Sequence, residues 1–128
     1  MKQLSNNSLE ERTAKFGESI INFCRTIKKD LILVPLISQL VRSATSVGAN
    51  YMEAECASSR KDFRNKIFIC KKEAQESKHW IRMIANYLPE EKDELRLLWK
   101  EAHELTLIFQ KITMTLDLND IKNKVSEN

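Results

Sequence analysis

Two glycines and two prolines in 128 residues leave this chain almost without the residues that make tight turns. Few turns mean few, long regular elements, and a chain of this length suits one domain with a real core. Cysteine is scarce too: Cys24, Cys56 and Cys70 are odd in number and follow no zinc-ligand spacing. Cys70 lies in an apolar seam, where a thiol acts as a small hydrophobe, so the chain reads as a reduced, cytoplasmic protein. No apolar run approaches the roughly 20 residues that cross a bilayer. The start, Met1 to Glu11, is polar and lacks an apolar signal core, so neither secretion nor a membrane role is expected. The glycine count alone leaves no room for a phosphate-cradling loop.

What the chain does have is heptad spacing. Phe63, Ile67, Cys70, Ala74, Ser77, Ile81, Ile84 and Leu88 recur at alternating steps of four and three. Leu95, Leu98, Ala102, Leu105, Phe109, Ile112 and Leu116 form a second seam, and Leu33, Ile37, Leu40, Ala44, Val47, Tyr51 and Ala54 a third. Such spacing keeps one stripe of a helix against its partners over many turns. A weaker fourth set is Leu9, Phe16, Ile20, Phe23 and Ile27. These patterns predict an all-α, up-down-up-down four-helix bundle with helices at about 9–28, 35–57, 60–88 and 91–117, and a frayed tail over 118–128. Ser8 with Glu11 makes a capping box for the first helix, and Ser59 with Asp62 resembles a cap for the third. Pro35 fits a first turn, and Pro89 ends the third helix. Small residues at mid-length, Ala44 and Gly48 facing Cys70, Ala74 and Ser77, predict a close approach of helices 2 and 3.

Several large apolar residues fall off the seams: Phe68, Ile69, Trp80, Met83, Leu97, Trp99 and Ile108. Some widen the core stripe, but the surplus predicts self-association through a second face. Behind the core face of helix 2 runs a polar stripe of Arg42, Ser46, Ala49 and Glu53, with Asn50 beside it. Glu73 and Glu76 on helix 3 are partners within reach of Arg42. Arg42, Ser46, Asn50, Glu53, Glu73 and Glu76 are therefore expected to form a structural polar cluster, within or between subunits.

Net charge is only +3, yet Arg60 to Arg82 holds eight basic residues against three acids. Lys61, Arg64, Lys71, Lys72, Lys78 and Arg82 are candidate contacts for nucleic-acid phosphates. The plain alternative is an ordinary solvated face. One Glu-x-x-His, Glu76 to His79, has no second copy, because Lys100 stands three residues before His103. A di-metal site is thus not expected. Nothing pairs Cys24 with a base, so neither a catalytic residue nor a cofactor is assigned.

The stretch Leu40-Val41-Arg42-Ser43-Ala44-Thr45-Ser46-Val47-Gly48-Ala49-Asn50, followed by Glu53-Ala54, resembles a family signature. The family is that of the small bundle proteins encoded by intervening sequences in bacterial large-subunit ribosomal RNA genes. Ser59-Arg60-Lys61-Asp62-Phe63, then Lys72-Glu73-Ala74, Glu76 and Trp80-Ile81, is similar to its second block. Tyr51 stands where the family has a small aliphatic residue. The resemblance implies a left-handed four-helix bundle that assembles as a homopentamer, with no catalytic residue. It also implies kinship to the accessory bundle protein of diversity-generating retroelements, which binds nucleic acid and a reverse transcriptase. The expected function is that of a non-enzymatic oligomer that binds RNA or DNA through helix 3. The alternative is a structural or protein-partner adaptor.

Overall fold

The computed structural model describes residues 8–127; Met1–Asn7, the first part of the polar start, lie outside them, as does Asn128. Four helices follow one another: α1 (Leu9–Thr26), α2 (Leu33–Glu55), α3 (Arg60–Tyr87) and α4 (Lys92–Glu127), with a 3-10 turn at Pro89–Glu91 before α4. Ser8 caps α1 by accepting a hydrogen bond from the Glu11 amide at 3.1 Å, and Ser59 does the same for α3 through Asp62 at 3.0 Å. Each cap satisfies an amide that has no partner inside its helix.

The start of α2 is built differently from expectation. α1 ends at Thr26, and Asp30 belongs to the next helix as its anchor. Its Oδ1 accepts from the Ile32 and Leu33 amides at 3.0 and 2.8 Å, so α2 begins at Leu33 with Pro35 still in its first turn. The other carboxylate oxygen accepts from the Tyr87 hydroxyl at 2.6 Å, tying the α1–α2 connection to the end of α3.

Adjacent helices run antiparallel, as matched pairs along their lengths show. Ser43 and Ser77 share a buried hydrogen bond of 2.8 Å across α2 and α3, and the Cys70 thiol donates to the Val47 carbonyl at 3.5 Å. Arg64 meets Asp117 and Arg60 meets Asp120 across α3 and α4. The core is the set of seams: Phe16, Ile20, Leu40, Val47, Ile67, Ile81, Leu105 and Phe109 are among its closed side chains. Tyr51 is half-buried, its ring 6.2 Å from that of Phe109.

Gly48 was expected to face α3, and it faces α1. A Cβ on Gly48 would sit 3.5–3.6 Å from Thr13, and one on Gly17 would sit 3.6 Å from Thr45. The two glycines thus interlock α1 with α2, while the α2–α3 approach rests on Ser43, Val47, Cys70 and Ser77.

The largest departure is the tail. α4 continues without interruption through Asn119 and Asp120 to Glu127, where a frayed segment was expected. Arg60, the first residue of α3, holds those turns: its Nε donates to Asp120 at 2.8 Å and its Nη2 to the Leu116 carbonyl at 3.2 Å. At 1.5 Å per residue α4 is roughly 54 Å long against about 42 Å for α3, so its last turns outrun the bundle. On its outward side Leu107, Met114, Leu118, Ile121 and Val125 are between 50% and 70% exposed.

Candidate nucleic-acid interface

The core seam of α3 places a second line of residues on the opposite side of the helix, offset by two positions or about 200°. That line is Lys61, Asn65, Phe68, Lys72, Gln75, His79 and Arg82, and all seven are exposed. It carries three cations, two amides, a histidine and a phenylalanine, and no carboxylate. From Lys61 to Arg82 it runs for roughly 30 Å along the helix.

The six candidate phosphate contacts divide into two groups. Arg64 is committed to the bundle: its Nε and Nη2 donate to Asp117 at 2.7 and 3.0 Å. That pair raises the arginine pKa and lowers the aspartate's, in both cases chiefly through the side-chain hydrogen bond. Lys78 is committed as well, with Nζ 3.0 Å from His103 Nδ1 and 5.0 Å from the Trp99 ring centre, while Trp99 stacks on His103 at 5.1 Å. Lys61, Lys72 and Arg82 point to solvent along the acid-free line. Lys71 stands beside it, its ammonium 5.9 Å from the Phe68 ring centre. A groove of about 320 Å³ is lined by Phe68, Lys71, Lys72, Gln75 and Glu76.

The residues expected in one polar cluster also separate. Arg42 does reach across to α3, with Nη1 3.0 Å from Glu73, Nη2 in contact with Glu76, and Nε donating to Gln39 on its own helix. Glu76 accepts from the Trp80 indole at 3.1 Å. Ser46 and Asn50 instead donate to carbonyls of α2 itself, those of Arg42 and Ser46, and Glu53 pairs with Lys66 at 3.3 Å. The cluster is thus a three-residue bridge of Arg42, Glu73 and Glu76. A four-residue step from a serine or an asparagine to a helical carbonyl is a local use of polarity that competes with long-range contacts.

Two ties had no short-range signature. Arg12 on α1 donates to Glu101 at 2.7 and 2.8 Å and to Glu104 at 2.6 Å, joining α1 to α4, and its pKa is raised mainly by the bond to Glu101. The second is the Tyr87–Asp30 tie between the end of α3 and the α1–α2 connection.

A family model for the 23S rRNA-intervening sequence protein matches residues 6–111. The chain belongs to that family. Among solved structures it is similar to a protein of unknown function from the S23 ribosomal protein family of Bacteroides thetaiotaomicron. The two share 27% identity with a TM-score of 0.73, over 83% of this chain and 98% of the other. No curated protein matches the chain. The intervening sequence protein match stops inside α4, so the final turns of that helix lie beyond it.

Burial pushes the Cys24 thiol up to about 11, against a smaller opposing pull from Lys29, and raises that of Cys70 to about 12. Both stay protonated and weakly nucleophilic near neutral pH. Among the described residues, no group of three His, Cys, Asp or Glu side chains is placed to hold a metal ion. Glu76 is engaged by Arg42 and Trp80, and His79 lies edge-on to Trp80 at 4.9 Å. No described helix is long and apolar enough to cross a membrane.

Proposed function

We propose that this bundle is a non-enzymatic, self-associating protein that binds nucleic acid through the outer face of α3. The observation that carries the reading is the exposed line from Lys61 to Arg82, in which cations are spaced along one face with no carboxylate among them. A polyanion releases condensed counterions when such a face neutralises its phosphates, so sequence-independent affinity follows from charge placement alone. Self-association is supported by the outer side of α4, where Leu107, Met114, Leu118, Ile121 and Val125 stand half or more exposed, since apolar side chains gathered on one helix face favour a partner over water. A homopentamer is the assembly proposed, and a ring would repeat the cationic face once per subunit. An adaptor for another protein is the second reading, and the same apolar side of α4 favours it.

Anisotropy titrations of labelled RNA and DNA oligonucleotides across a salt series test the nucleic-acid reading. Affinity should fall steeply with salt, with a logarithmic slope of about −0.7 to −0.9 per phosphate neutralised. Reversing Lys72 and Arg82 to Glu should weaken every oligonucleotide alike while leaving the helical circular dichroism unchanged. No association at low salt would overturn the reading in favour of the adaptor.

A further inference from the structure

The cationic line on α3 is interrupted near its centre by a residue that charge does not explain. Phe68 is 50% exposed on the solvent side of a helix whose apolar seam lies on the other face. Half of an aromatic side chain is thereby left in water. The two tryptophans are already engaged: Trp80 donates its indole N–H to Glu76, and Trp99 is stacked on His103 with Lys78 against it. Phe68 has Lys71 at the margin of cation–π range, 5.9 Å from the ring centre, and opens onto the groove shared with Lys72, Gln75 and Glu76, whose carboxylate is engaged by Arg42 and Trp80.

We infer that the α3 face is a single-strand site in which Phe68 stacks an unpaired base while the flanking cations hold the phosphates on either side. The inference rests on the nucleic-acid reading above and adds to it the class of nucleic acid. Lys72 lies one turn beyond the ring, about 6 Å along the helix, and Lys61 two turns before it, about 10 Å. A strand laid along the helix would therefore meet a cation, an aromatic face and a second cation in order. Duplex bases have their faces closed by stacking on one another, so the ring has nothing to offer a duplex beyond the charges around it. Every base has a π-face, and phenylalanine has no hydrogen-bonding group, so the preference is for unpaired strands and not for a sequence.

The test compares one labelled oligonucleotide as a single strand, as its duplex, and as an abasic strand of equal length, all at low salt with the full chain. The single strand should bind more tightly than the duplex. Phe68→Leu, which keeps an apolar side chain but removes the ring, should weaken single-strand binding by roughly 5- to 100-fold. It should leave duplex and abasic binding unchanged. Lys72→Ala should weaken all three and reduce the salt slope by just under one. Equal loss on the single strand and on the abasic strand would overturn the inference, because the ring would then not be reading bases. So would a single strand that binds no better than its duplex and ignores Phe68→Leu, although the nucleic-acid reading itself would stand. A change in particle mass on Phe68→Leu, measured by light scattering, would also overturn it, assigning the ring to a contact between copies. Failure of all three probes to bind the unaltered protein would remove the nucleic-acid reading and this inference together.

Discussion

Arg42 keeps 47% of its side chain in water while bridging Glu73 and Glu76. Its exposure sets the magnitude of what it can contribute. A desolvated arginine that lost its carboxylates would cost about 3–5 kcal/mol, whereas exposed pairs contribute about 1 kcal/mol or less. Arg42→Ala should accordingly lower stability by no more than about 1 kcal/mol in urea unfolding. A loss several times larger would show that the bridge is covered in the assembly. Asp30 tells a different story. The Tyr87 hydroxyl, then the Leu33 and Ile32 amides, hold its carboxyl below the ordinary 3.8. A depressed carboxylate stabilises the fold above its unfolded pKa, and the contribution disappears as pH falls through the folded value. The same bond raises the tyrosine above 10, so the tie also weakens as pH rises through that folded value. Tyr87→Phe should lower stability most near neutral pH, where the tie is fully present, and least at the acid and alkaline extremes, where it is already lost, as thermal unfolding across a pH series would show. This pair joins residues 57 apart in sequence, and no local pattern announces it.

At the level of the helices, periodicity was a reliable guide to burial and to the bounds of the first three helices within two residues, and a poor one to the end of α4 and to the direction of Gly48. Ile67, Cys70, Ala74, Ser77, Ile81 and Ile84 are all buried, as their spacing requires, because a 3.5-residue repeat has one way to face a partner. The direction of Gly48 was not legible in the same way. A glycine has no side chain to mark a face, and position 48 lies one residue past the Val47 seam, on the side that α1 occupies. Its environment carries a definite expectation. An added Cβ would make ordinary contact with Thr13, so Gly48→Ala should gain about 0.5–1 kcal/mol from helix propensity. Gly48→Leu should instead force α1 away and lower the thermal midpoint; a stabilising leucine would contradict the interlock. The end of α4 was missed for another reason. Asn119 and Asp120 are helix breakers by local preference, but Arg60 and Arg64 supply partners for Asp120 and Asp117 from a helix 50 or more residues earlier. Long-range pairing overrode a local signal. The candidate site was legible to the same degree: the count of cations on α3 came from sequence, whereas their division into free and engaged came only with α4 in place.

For the molecule as a whole, two helices have outer faces of opposite character, cationic on α3 and apolar on α4. Deleting residues 121–128 removes Ile121 and Val125 but spares the Arg60–Asp120 pair. The shortened chain should keep its helical circular dichroism and sediment as a smaller or more readily dissociated species. An unchanged assembly would place the contact elsewhere. The fold also determines how the chain responds to load. In an up-down-up-down bundle the first and last helices leave from the same pole, so a pull on the two ends acts across the α1–α4 contact and not along it. α1 rests chiefly on α2 and touches α4 lightly, with Arg12 reaching Glu101 and Glu104 between them. Contacts loaded in this direction break in succession and never share the force. The bundle should peel open from the termini, with Arg12 as its first clasp, while the α2–α3 pair at its centre outlasts the rest.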